Sequence, residues 1–423
     1  MKYRAYFWMA GLAMLLQATS GWAAITIPGA DGSDGILYVP SNTTMVVDLS
    51  LAVSGAWDAD NSANAGSGIY DSNKWAVVFK YASITVEPGA TLSFKNHASR
   101  APVVWLVDGD VTIDGTISLG GADCVMAPEI AEPGPGGFRS GMGYYTANVG
   151  ASAGFGPGGG GTYANVRGYG GSHSTTVSTS PDVYGNPSLV PLLGGSGGGG
   201  SEQAYSGGAG GGAMLIACSG TLSIDGQISA NGGKGHDRSY SVNDSGGGSG
   251  GGIRLVADTF SGSGLIEAKG GLGGDFPGGL GRIRLERVTN NDSWTAIAPS
   301  PSVVGLPAGD TALLWPTSSS PEVKIISVGG ETVPDDPRAS FGTLGADVAL
   351  AETNTTRVVI ETTNVEEAST VTVRATPRSN ASYTETTASV DTVVTTSPLV
   401  IRWVADIPVS AGYCAIQIHV VRP

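Results

Sequence analysis

Apolar and polar residues alternate in the same phase along two separate stretches of the chain. Val111, Ile113, Gly115, Ile117 and Leu119 fall on one side of an extended backbone. Leu222, Ile224, Gly226, Ile228 and Ala230 take the same places in a second copy. A third copy at 264–271 repeats the second half of this unit, and matching apolar runs precede the units at 103–107, 213–217, 252–256 and 282–286. Side chains of a strand alternate between two faces, so equal parity in the copies means that the same face is buried each time. Short repeated strands of this kind bury their apolar edges by stacking on one another. Glycine-rich stretches interrupt every 3.6-residue period, so no crossover helix is expected. The pattern predicts an all-β chain with a right-handed parallel β-helix over 101–290. An antiparallel sandwich with glycine-rich loops is the alternative.

The flanks differ in texture. Residues 24–100 hold the apolar run 75–81 and a strand, turn, strand pattern over 84–94 that bends at Pro88 and Gly89. They are expected to form an N-terminal β cap and first coil, because an open first edge would recruit other chains. Within 101–290 lies an insertion, 133–206, rich in glycine and serine and carrying Phe138, Tyr144, Tyr145, Phe155, Tyr163, Tyr169 and Tyr184. These rings either form a contact surface or pin the loop to the stack. Pro299, Pro301, Pro307, Pro316 and Pro321 mark 291–321 as a linker. From 322 to 423 glycine thins out, and alternating Val- and Thr-rich runs at 323–328, 357–362, 370–375, 383–390, 399–404 and 413–421 suit an immunoglobulin-like β-sandwich.

Residues 1–23 read as an export signal. Lys2 and Arg4 precede an apolar run over 5–16, with small residues Gly21 and Ala23 at the cleavage spacing. The run is too short to span a bilayer, which takes about 20 apolar residues. A secreted chain is therefore expected, with no membrane span. Loss of this leader lowers the basic count from 22 to 20 against 36 acidic residues. That acidic balance makes nucleic acid and anionic lipid poor partners. Sixty-seven glycines with 41% hydrophobic residues describe a turn-dense β protein that still has core material. Cys124, Cys218 and Cys414 are too few for a disulfide framework. Cys218 and Cys414 share parity with buried neighbours, and Cys124 falls in a loop.

No constellation names a reaction. Asp108, Asp110, Asp114 and Asp225 could approach one another on stacked coils and serve general acid catalysis on a polysaccharide. Three of them precede glycine, where aspartate ordinarily caps a turn. Arg254, Arg282 and Arg284 read as an outward, solvated row. Asp58, Asp60, Asn61, Ser62 and Asn64 offer oxygen ligands suited to Ca²⁺, without the glycine and glutamate offsets of an EF-hand loop; no other cofactor is expected. His97, His173, His236 and His419 lack zinc spacing. Gly154, Gly156 and Gly159 match a dinucleotide fingerprint outside any βαβ unit, and Gly195, Ser196 and Gly197 make no nucleophile elbow.

The runs at 75–81 and 94–107, with the glycine-rich units up to Leu285, resemble uncharacterised secreted glycine-rich bacterial proteins with a parallel β-helix-like region. The run at 371–377 is similar to the immunoglobulin-like modules appended to them. The resemblance implies an extracellular location and this fold, and transfers no active site. The leading expectation is a non-enzymatic structural or adhesive protein that binds surface glycans or cell-envelope components. A polysaccharide lyase or glycoside hydrolase on the coils, or a carbohydrate-binding protein without catalysis, are the alternatives.

Overall fold

The computed structural model describes residues 24–423 except 145, 147–149, 164–166, 177–182, 203, 238–243, 295, 338–345, 352–353 and 380–381. The expected leader, 1–23, lies outside the described residues. The chain is all-β: strands and irregular segments, with two short 3₁₀ turns, account for the described residues. Among them no helix is long and apolar enough to cross a membrane.

Five successive units build the N-terminal part. Each runs along one sheet, turns a corner and adds a short strand to a second sheet. Their first-sheet strands are Ala76–Tyr81 with Ser83–Val86, Val103–Val107 with Val111–Ile113, Ala213–Ile224, Gly252–Gly262 and Arg282–Asp292. Their second-sheet strands are Thr91–Lys95, Thr116–Ser118, Gln227–Ser229, Leu265–Glu267 and Ala296–Ala298. Every pairing between these units is parallel, with one register shift, between Cys218 and Thr221 where Ala213–Ile224 meets Gly252–Gly262. This rules out the antiparallel alternative for the region.

The register stacks like on like. Leu92, Ile117, Ile228, Ile266 and Ile297 form one column through the second sheet. Val86, Ile113 and Ile224 form another at the corner, and Phe79, Trp105, Ile216, Leu255 and Leu285 a third. Parallel strands lie about 4.8 Å apart, so branched side chains in a column touch their counterparts above and below. All of these residues belong to or pack against one apolar core, with Ile113 and Ile224 fully enclosed in it. The segment expected as a cap contributes a first rung to each sheet, through Ile36–Val39 and Thr44–Asp48. Gly89 makes the expected bend with φ +74°.

One expectation needs correction. Residues 291–321 are more than a linker: Ala296–Ala298 and Ser302–Gly305 are parallel strands of the two sheets. Beyond them Ala312 and Leu314 cover the outer side of the first sheet together with Ile25 and Ile27. Proline spacing concealed this because a strap needs apolar residues only at isolated positions. Much of the insertion is packed against the stack, as the second reading of its rings expected. The glycine-rich segments between the units are buried over most of 151–160, 194–201, 206–212 and 244–252.

Those segments form a bundle with its own rule, visible in 206–213. The amides of Ser206, Ala209 and Gly212 donate to the carbonyls of Val125, Ala122 and Leu119. Those of Gly207, Gly210 and Ala213 donate to Gly141, Phe138 and Pro135, and those of Gly208 and Gly211 to Gly246 and Ser249. Successive amides thus point to three different neighbouring segments, and every third residue returns to the same one. Three residues per turn is the period of the polyproline II helix, which has no internal hydrogen bonds and leaves every amide for a neighbour. The neighbours follow suit: Gly195 and Gly198 donate to Gly211 and Gly208, and Gly248 and Gly251 donate to Gly233 and Ala230.

Glycine is needed here for proximity, since Gly208, Gly210 and Gly251 have no left-handed φ. A Cβ on Gly210 would lie 1.8 Å from the Gly195 carbonyl oxygen, and one on Gly251 1.8 Å from that of Gly212. This is the reason glycine occupies the collagen axis. Irregular backbone can be buried in this way because its donors and acceptors find partners.

The C-terminal part, 322–423, is a pair of antiparallel sheets around a separate core that includes Val358, Ile360, Val373, Ile401 and Trp403. It sits on the glycine bundle: Arg374 donates to the Pro157 carbonyl at 2.8 Å and the Ser152 hydroxyl to the Arg378 carbonyl at 2.9 Å. The Arg374 guanidinium lies over the Tyr383 ring, 4.1 Å from its centroid.

Candidate functional site

Of the four aspartates proposed from sequence, Asp114 and Asp225 come together at one corner, and Asp110 and Asp225 are engaged by backbone amides. Asp110 accepts the Thr221 amide at 2.7 Å, and Asp225 accepts the Ser263 amide and hydroxyl at 2.9 and 3.0 Å. Each carboxylate thereby caps a turn of the next unit. Asp123 and Asn231 do the same for the amides of Lys234 and Lys269, at 2.8 and 2.7 Å. Asp108 is exposed, and its amide donates to Tyr81. Asp114 shares its corner with Glu87 and Asp225. Burial first, then those two carboxylates, raise its pKa above the usual range.

The arginine row is not a free solvated face: Arg282 and Arg284 are half-buried. Arg254 is 2% exposed. Its Nε lies 2.9 Å from Glu286 Oε1, the oxygen that also accepts from Arg284 Nε at 3.1 Å. Arg254 donates further to the carbonyls of Leu313 and Leu314, at 2.6 and 3.4 Å, which ties the strap to the sheet. Strand parity put these side chains on the outer face correctly; the strap that covers that face could not be read from parity.

The proposed Ca²⁺ loop is held by internal bonds. Asp60 accepts the Ser62 amide at 2.8 Å, and Asn61 Nδ2 donates to Asp34 at 2.6 Å. The buried Lys80 ammonium lies 2.8 Å from Asp31 and donates to the Ala59 carbonyl, so an amino-acid cation already serves this corner. Among the described residues no group of three or more His, Cys, Asp or Glu is arranged to hold a metal ion. The histidines are dispersed: His97 stacks on Tyr70 at 4.1 Å and His236 on Tyr205 at 3.9 Å. His419 lies in the C-terminal strand Cys414–Val421.

Gly154, Gly156 and Gly159 pack within the bundle, where a Cβ on Gly159 would lie 2.0 Å from the Gly154 carbonyl. That leaves no room for a dinucleotide. Ser196 is fully buried, accepting the Gly158 amide at 3.1 Å and donating to the Tyr184 hydroxyl at 3.0 Å. The insertion's aromatics divide. Phe155 and Tyr184 are buried, and Phe138 and Tyr169 pair with Trp75 and Phe276. Tyr144 and Tyr163 remain exposed, and Tyr145 lies outside the described residues. All three cysteines are free, Cys218 fully buried. Burial raises the thiol pKa of each, with Cys414 pushed to about 12, so none is an activated nucleophile.

A groove of about 630 Å³ opens beside the second-sheet strands Thr91–Lys95 and Thr116–Ser118. Phe94, Ala98 and Pro133 supply its apolar surface, and Lys95, Arg100, Ser118 and Glu132 its polar groups. Glu132 is fixed by two guanidinium groups, Arg100 Nε at 3.1 Å and Arg139 Nε at 2.6 Å. Burial raises its pKa, and the Arg100 charge opposes that rise. The lining carries one carboxylate, already engaged by two arginines, whereas glycosidic cleavage ordinarily uses a pair. Its chemistry suits holding a polar ligand. Sequence reasoning missed this groove because its groups come from three separate segments within 94–133 that no periodicity links, joined at Arg100 and Glu132. The chain matches no family model, no curated protein and no solved structure.

Proposed function

We propose that this chain is a secreted, non-enzymatic structural or adhesive protein. It is read as a right-handed parallel β-helix stiffened by its polyglycine bundle and followed by an immunoglobulin-like β-sandwich. The groove beside Phe94 would contact a surface glycan or another cell-envelope component. The observation that carries the reading is the use of the acidic groups: Asp110 and Asp225, two of the four catalytic candidates, are bonded to backbone amides of neighbouring units. Parallel register and like-on-like columns support the β-helix, and two antiparallel sheets around one core support the sandwich. A body whose backbone is cross-linked in three directions suits a rigid spacer better than a hinged enzyme.

Binding without catalysis is favoured over the bare structural role by the groove. Retention of the purified protein on a panel of insoluble glycans should fall at least tenfold in Lys95→Ala combined with Ser118→Ala, with no soluble products released. New reducing ends or unsaturated sugars that vanish in Asp225→Asn would overturn the non-enzymatic reading. Asp225→Asn itself is expected to cost about 1 kcal/mol, the usual effect of weakening a charge-assisted turn cap, measured by chemical denaturation.

A further inference from the structure

The imidazole of His173 is fully enclosed, with 0% of the residue exposed. It projects from the glycine-rich segment 168–174 onto 250–251. Nδ1 lies 2.9 Å from the Gly250 carbonyl, an acceptor, so Nδ1 carries the proton of the neutral ring. The ring stacks on Tyr184 at 4.6 Å and 17°. Nε2 is buried without a hydrogen-bond partner. The Gly250 and Gly251 backbone contacts favour a positive charge on the ring, while burial and Arg282 oppose it. Arg282 is the charged group acting on the ring, anchored on the Tyr184 carbonyl at 2.8 and 3.2 Å. The Tyr184 phenol donates to the Gly194 carbonyl at 2.6 Å and is kept neutral by burial. No carboxylate among the described residues acts on the imidazole. Asp182 lies outside the described residues.

We infer that His173 is an acid-sensitive latch of the glycine bundle. Neutral, it fastens segment 168–174 to 244–252; protonated, it releases that contact and opens this corner. Protonation would leave the new Nε2–H without an acceptor and place the ring's charge beside a second cation, in a site water does not reach. Opening relieves both costs.

Burial first, and Arg282 with it, hold the imidazole pKa down to about 4 against an ordinary 6.5, while the Gly250 contact works the other way. The folded value is depressed, so the stabilising contribution is complete above pH 6.5. It drains away as the pH falls towards 4. Between pH 7.5 and 4.5 the opening equilibrium of this corner should rise on the order of seventyfold by linkage.

Hydrogen exchange on the full chain, corrected for the intrinsic pH dependence of exchange, reads this equilibrium. Peptides covering 168–174 and 244–252 should open about seventyfold more often at pH 4.5 than at 7.5. The strand 213–224 should not follow. His173→Asn offers an amide donor to Gly250 and cannot titrate, so its response should be flat. A flat wild type, an undiminished response in the variant, or an equal response in 213–224 would each overturn the latch. If the variant does not fold, wild-type NMR decides: backbone shifts of 168–174 and 244–252 that move together with an imidazole midpoint near 4 uphold the latch, and a midpoint near 6.5 or unmoved backbone shifts overturn it.

Discussion

Replacing Gly251 by alanine is expected to abolish the native fold of the glycine bundle, at a cost above about 4 kcal/mol, which is exceptional for one substitution. The added methyl would meet the Gly212 carbonyl oxygen at 1.8 Å, and Gly212 itself is locked by hydrogen bonds to Leu119 and Gly252. A flexible side chain could swing away from such a clash. Backbone cannot, because each segment is tied to several others and moving one breaks bonds to the rest. Gly210→Ala, which meets the Gly195 carbonyl at 1.8 Å, should behave alike. Gly305→Ala is the control, since nothing lies within 4 Å of its Cβ position and its φ is not left-handed. It should shift stability by less than about 0.5 kcal/mol. Urea denaturation and soluble yield of the three variants side by side check the contrast. Equal tolerance of all three would mean that the segments are not close-packed.

The second large effect is expected at Glu286. Its carboxylate serves two guanidinium groups, and the side chains of Arg254 and Glu286 are only 2% and 7% exposed. Glu286→Ala leaves Arg254 and Arg284 facing each other without a counter-charge, which should cost about 3–5 kcal/mol. Removing both members of the buried pair avoids the stranded charge. Arg254→Met combined with Glu286→Leu should therefore be less damaging than Glu286→Ala alone. The double variant still loses the donors that hold the Leu313 and Leu314 carbonyls, so the strap over 306–315 should loosen. Denaturation midpoints give the ranking, and exchange of strap amides reports the loosening. A loss below about 1 kcal/mol for Glu286→Ala would show that water reaches the cluster and screens it.

The stacked units were legible because strand parity and residue type repeat together. Ile113 and Ile224, and Ile117 and Ile228, were matched from sequence and are partners in the sheets. The turn role of Asp225 was legible from the glycine that follows it, although its partner, Ser263, was not. The glycine bundle was invisible to the same reasoning. Strand and helix signals depend on which side chains alternate, and glycine has none to show. What specifies the bundle is the lack of a Cβ wherever two backbones meet, and the Gly-Gly and Gly-Ser doublets through 194–201 and 244–252 were its trace. Glycine-rich composition ordinarily signals a flexible linker, and here it allows close packing instead. The strap and the Arg100–Glu132 pair were unreadable for a different reason, since they depend on remote segments meeting in space.

The central claim is that glycine-rich backbone forms a hydrogen-bonded interior beside the stacked strands. Native-state hydrogen exchange at neutral pH tests it directly on the amides of Gly198, Gly208, Gly211 and Gly248. The bonds to Gly208, Gly246, Ser249 and Gly233 predict protection comparable to that of strand Ala213–Ile224, with exchange over hours or longer. Exchange within seconds, at the rate of an unstructured glycine linker, would contradict it.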